Sequence, residues 1–186
     1  MISNDRGVLR CRVMGISLTL LPASDDEIRY YVTSPKAVDA RFAGIATPSA
    51  TASAHACHLH DRWAALHFLC TGDLDDGGAP LGWMKAGELE IRGAADPTFA
   101  MFADAVASWH AALGTLTDEE FERRCFRADL LNGASGGRSI PPGRWPDAMN
   151  EPLASELREY FDRLRRFVRT TAGEKLGAVF SRYEDL

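Results

Sequence analysis

His55, Cys57, His58 and His60 are residue types that ligate zinc, and all four fall within six positions of one another. Their spacing lacks the paired clusters of a structural site, and no His-Glu-x-x-His helix accompanies them, so they read as a histidine-rich loop with no metal. His67, two helical turns beyond His60, carries a different possibility. In a stripe with Trp63 it could serve as a general base, its tautomer fixed by Asp61 or Asp73. Trp63, His67, Asp73 and Trp83 would then line a small-ligand cleft. The opposing reading is a core histidine satisfied by a nearby carbonyl, because any buried polar group needs a partner. Cys70 lies close to His67, but a thiol on an apolar helix is normally inert.

Other motifs fail at a required position. Asp73, Asp75 and Asp76 before Gly78 begin like a calcium loop, yet the twelfth position counted from Asp73 is Met84, where a bidentate Glu is needed. The stretch NGASGGRSIPPGRWP, residues 132–146, is glycine-rich but lacks the Lys-Ser/Thr ending of a phosphate loop. The motifs therefore name no cofactor.

Elements must position these residues, and the composition says what kind. A chain of 186 residues with 46% hydrophobic content builds one continuous core, so a single domain is expected. Charged residues at 25% exclude global disorder. The formal charge of −5 argues against nucleic acid as a partner, and the arginines between 158 and 169 are interleaved with acids. Glu159 with Arg163 and Asp162 with Arg166 have the i,i+4 spacing of ion pairs, which predicts a solvated, charge-balanced face with no aromatic platform for bases. Cys11, Cys57, Cys70 and Cys125 form no Cys-x-x-Cys pair, which suits reduced thiols in the cytoplasm. No run approaches the roughly 18 apolar residues of a membrane span. Arg6, Arg10 and Arg12 before the apolar residues 13–21 imitate an export signal, but Ser17 and Thr19 alternate with Ile16, Leu18 and Leu20 as in a half-buried strand.

Residues 1–13 read as a loose extension and residues 14–186 as the domain. A strand over about 14–21 ends at Pro22, and Ser24 caps a helix whose first turn holds Asp25, Asp26 and Glu27. A second helix begins at Pro35, and residues 44–56 form a loop of small residues. The central helix starts near His60 or Asp61 and ends at Thr71-Gly72; Trp63, Leu66, His67, Phe68, Leu69 and Cys70 leave it little polar surface. Residues 81–84 and 89–91 read as extended. Asp96-Pro97 predicts a helix start running to about Leu113, and Thr117 with Glu120 forms a capping box for another helix. A long helix over about 151–172 is capped by Gly173, and residues 177–183 close the chain as a strand.

The stretches LHDRWAALHFLCTG, PLGWMKAGELE, LTDEEF leading into RRCF, and REYFDRLRRFVRTTAGEKLGAVFSRY occur in that order. Together they resemble the YfbM-like family of small bacterial proteins, a domain of unknown function. The resemblance runs from Met14 essentially to the C-terminus and implies an α+β fold, a single YfbM-like domain, mainly helical, with a small sheet built from N-terminal and C-terminal strands. The family's central motif of an acidic residue, a basic residue and Trp followed by His matches Asp61, Arg62, Trp63 and His67. The chain departs from the family in an enlarged loop around 135–143 and in lacking a Gly-Tyr-Gly-like turn before Asp96. The resemblance implies no chemistry. Complete core patterning beside incomplete chemical motifs leads to the expectation of a non-catalytic interaction module with an unidentified protein partner. The alternative is a small-molecule binding protein or enzyme with its pocket around Trp63 and His67.

Overall fold

The computed structural model describes residues 16–46, 55–60, 62–72, 78–126 and 151–184. Its centre is the pairing of the first and last strands. β1 (Ile16–Ala23) runs antiparallel to β5 (Gly177–Glu184) through eight consecutive partners, from Ile16 opposite Glu184 to Ala23 opposite Gly177. Around this pair a five-stranded antiparallel sheet has the order β2-β1-β5-β4-β3, where β2 is Cys57–His60, β3 is Leu89–Glu90 and β4 is Thr98–Met101. The fold is α+β, with the terminal strands at its heart as expected.

Strand alternation divides the core in two. Leu18, Leu20, Cys57, Leu59, Met101, Ala178 and Phe180 face one side, where α3 (Trp63–Thr71), α5 (Ala103–Thr115), α6 (Asp118–Cys125) and α7 (Glu151–Gly173) pack against them. Trp109 and the stacked rings of Phe121 and Phe161, 4.2 Å apart, fill the space between these helices. Leu21, Ala23, Ala100 and Val179 face the other side, against α1 (Asp25–Thr33) and α2 (Pro35–Ala46). Between α3 and β3 lies the single turn α4 (Trp83–Ala86).

Local signals account for several of these boundaries. Ser24 and Glu27 form the full capping box of α1, and Thr117 accepts a hydrogen bond from the Glu120 amide at the start of α6. The stripe Leu157, Phe161, Leu164 and Val168 buries one face of the 23-residue α7. Gly177 is required by close packing, since a Cβ there would overlap the Met101 carbonyl oxygen and the Ile28 side chain.

Four expectations need correction. Asp96-Pro97 does not start a helix; residues 98–101 are β4, held by Phe99 opposite Phe180 and Met101 opposite Ala178. The helix begins at Ala103, whose amide donates to Asp25 Oδ1, while the Phe102 amide donates to Glu88 Oε2. Those caps come from residues 78 and 14 positions away, so no local pattern announces them. His60 closes β2 instead of starting α3, and residues 83–86 form a helical turn instead of a strand. Ser17 and Thr19 are 0% and 3% exposed, so β1 is buried on both faces. A hydroxyl ladder replaces water there: Thr19 Oγ1 lies 2.9 Å from His58 Nδ1 and 3.2 Å from the Tyr183 hydroxyl, and Thr98 donates to Ser181 Oγ at 3.3 Å.

Candidate functional site

Trp63 and His67, expected to line a cleft, are both buried. His67 is 1% exposed and Trp63 7% exposed, on a helix buried from Ala65 through Cys70. Trp83 packs against the same core. The Trp63 ring covers the Arg182 guanidinium, 5.4 Å away, which in turn lies 4.6 Å from Phe99. Burial pulls the Arg182 pKa below its usual value. Both ends of α3 are pinned by arginines. Arg62 donates to Glu156 of α7 at 2.9 Å, and Arg124 of α6 donates to the carbonyls of Leu69 and Cys70 at 2.8 and 2.9 Å, next to the left-handed Gly72 that ends the helix. Asp61 and Asp73 lie outside the described residues.

Strand geometry separates Cys57 from the neighbouring histidines. Cys57 points into the main core, and burial pushes its thiol up to about 12 despite the nearby charges of Arg163 and Arg166. His58 and His60 alternate away from it, and His55 is exposed on a short turn before the strand. His60 has φ 45° and turns its ring edge-on to Tyr160, 6.2 Å away. Partial burial, followed by the charges of His60 and Arg163, holds the His58 pKa below its ordinary value, which favours the neutral ring, and Nδ1 has the Thr19 hydroxyl as a partner. A neutral imidazole against a hydroxyl is the pair of a nucleophilic site, but Thr19 is too deeply buried to meet a substrate. Among the described residues, no group of three or more His, Cys, Asp or Glu side chains is placed to hold a metal ion.

The open chemistry lies instead on α7. A surface depression of about 640 Å³ between α5 and α7 is lined by His110 and by Arg163, Arg165, Arg166 and Arg169. A second of about 390 Å³ continues along α7 toward His55 and Glu174, and the two share Arg163 and Arg166. The i,i+4 pairs expected here do not form. Arg163 reaches over to donate to the His58 carbonyl at 3.1 Å and lies 4.8 Å from the Tyr160 ring. Arg165 pairs with Asp118 of α6 at 2.5 Å and covers Phe161, and Arg158 pairs with Glu122 at 2.6 Å. An exposed i,i+4 pair contributes only about 0.3–0.5 kcal/mol, so contacts to other elements readily replace it. Arg166 and Arg169 are exposed, and among the described residues neither has a hydrogen bond or ion pair to a side chain. The sequence spacing predicts a charge-balanced face here, with Asp162 four residues before Arg166, whereas Arg169 has no acid three or four residues away.

A family model described as Domain of unknown function (DUF1877) matches residues 14–181. The chain belongs to the DUF1877 family. Among solved structures, it is similar to the crystal structure of a protein of unknown function, YfbM from Escherichia coli, with 16% sequence identity and a TM-score of 0.60. That match covers 90% of this chain and 99% of the other, and at this identity it speaks for the shared fold alone. No curated protein matches the chain.

Arg62 ties α3 to α7, Trp63 lids Arg182 on the sheet, and His67 sits within the helix layer. The signal that marks the groove is of another kind: arginines in one stripe whose nearest acids leave them unneutralised.

Proposed function

We propose that the protein is a non-catalytic interaction module that receives an acidic polypeptide partner in the groove between α5 and α7. The observation that carries this reading is the pair Arg166 and Arg169, exposed and without a partner among the described residues, in a stripe where Arg158, Arg163 and Arg165 are all engaged. A guanidinium left free on a folded surface offers paired donors to a carboxylate, and complementary charge sets both the speed and the register of association. Nucleic acid fits less well, because Glu159, Asp162 and Glu174 border the same stripe and would repel a continuous phosphate backbone. In this reading His67 and Trp63 serve packing, residues 14–186 are the working unit, and the protein acts in the cytoplasm, where the unpaired Cys57, Cys70 and Cys125 stay reduced.

Site-specific photo-crosslinking in cells tests the proposal. A photoreactive residue at His110, inside the groove, should form a discrete crosslinked species that disappears with Arg166→Glu and Arg169→Glu. The same residue placed at Tyr30, on α1, should form none. Equal crosslinking from both positions, or a species indifferent to the two arginines, would contradict the reading.

A further inference from the structure

We infer that the groove takes an extended peptide whose charges run basic, acidic, basic, with its two central carboxylates on Arg166 and Arg169. This rests on the reading of the groove given above and adds the order of charges in the partner.

The charges along α7 are not mixed at random. Along the axis of α7, Glu159 and Asp162 come first, Arg163, Arg166 and Arg169 follow, and Glu174 comes last; Glu159, Asp162 and Arg169 line the first depression, Glu174 the second, and Arg163 and Arg166 both. From position 162 to position 174 the helical rise is roughly 18 Å. A seven-residue extended segment spans about 20 Å between its first and last Cα atoms, so a basic residue at each end meets Asp162 and Glu174. Carboxylates on alternate residues of such a segment lie about 6.6 Å apart. Arg166 and Arg169 are separated by roughly 4.5 Å of rise, and their long, free side chains close the difference. The shared wall at Arg163 lets one chain pass from the first depression into the second, since that guanidinium is folded down onto the His58 carbonyl.

A lone inorganic anion would meet only one or two exposed guanidinium groups, which contribute little in water. An oligonucleotide would bring phosphate against Asp162 and Glu174 at both ends. A peptide of alternating sign satisfies all three regions.

Fluorescence anisotropy on the full chain at low salt tests this with two labelled heptapeptides of identical composition. One is Lys-Ser-Glu-Ser-Glu-Ser-Lys and the other is Glu-Ser-Lys-Ser-Lys-Ser-Glu. The first should bind about tenfold more tightly, the equivalent of two modest surface ion pairs. Arg166→Ala combined with Arg169→Ala should bring it down to the level of the second without changing the melting temperature. If both peptides bind equally and the double variant weakens both, the charge order is wrong while the groove remains the binding site. If the double variant weakens neither, or neither peptide binds, the inference is overturned, and in the former case the groove reading falls with it. A single-stranded decanucleotide that binds more tightly than the first peptide would also overturn it.

Discussion

α3 and α7 both carry histidine or arginine beside aromatic rings, and they put them to opposite uses. On α3 every chemically able side chain is enclosed: His67 is 1% exposed, Trp63 lids Arg182, and Cys70 is buried so completely that its thiol is pushed up to about 12. On α7 one face is equally closed, with Leu157, Phe161 and Leu164 in the core, while the other presents Arg166 and Arg169 without a partner among the described residues. The difference teaches that density of unusual residue types marks where a fold is most constrained. A site for a partner is better marked by polar groups the chain has not satisfied for itself.

The largest expected effect lies on α3. Trp63→Ala should cost about 3–5 kcal/mol in chemical denaturation, through the emptied volume and the uncovered Arg182, with groove binding intact in the folded fraction. A loss below about 1 kcal/mol would mean that the region is not the closed centre described. His67→Gln comes next, with an expected loss of about 1–3 kcal/mol, because a side chain of different shape must find polar partners in the same enclosed space. Retained stability together with loss of a ligand-induced rise in melting temperature would restore the reading of His67 as a functional group. Arg166→Ala and Arg169→Ala should each change stability by no more than about 0.5 kcal/mol, as expected for exposed side chains with no contacts to lose. A greater loss would show that they support the fold.

The sheet and most helices were legible in sequence because their signals are local. Ser24 with Glu27, Thr117 with Glu120, and the apolar stripe of α7 each work within one or two turns. What was hidden depends on distant partners. β4 was read as helix because Asp96-Pro97 is a strong local start, whereas the pairing of Phe99 with Phe180 and the caps from Asp25 and Glu88 decide the matter in space. The groove was hidden for the same reason. Glu159 and Asp162 sit at pairing distance in sequence, and only the fold shows that Arg163 turns to β2 and leaves Arg166 unpaired.

The smallest expected effect concerns His58, which joins the two regions through Thr19 and through its carbonyl bond from Arg163. Burial, with the charges of His60 and Arg163, lowers its pKa in the folded chain, so the unfolded chain takes up the proton first as pH falls. The stabilising contribution is therefore complete above the unfolded value of about 6.5 and declines as pH drops through it toward the lower folded value. Melting temperature should fall across that window in the parent and less steeply in His58→Gln. Parallel curves would mean that His58 does not titrate against the fold.

The distinction between the enclosed α3 and the open α7 is tested most directly by residue-resolved NMR of the full chain titrated with the Lys-Ser-Glu-Ser-Glu-Ser-Lys peptide. The account predicts shifts at His110 and along residues 162–174, with the signals of Trp63 and His67 unmoved. Shifts centred on Trp63, His67 and Trp83, with those on α7 unchanged, would contradict it.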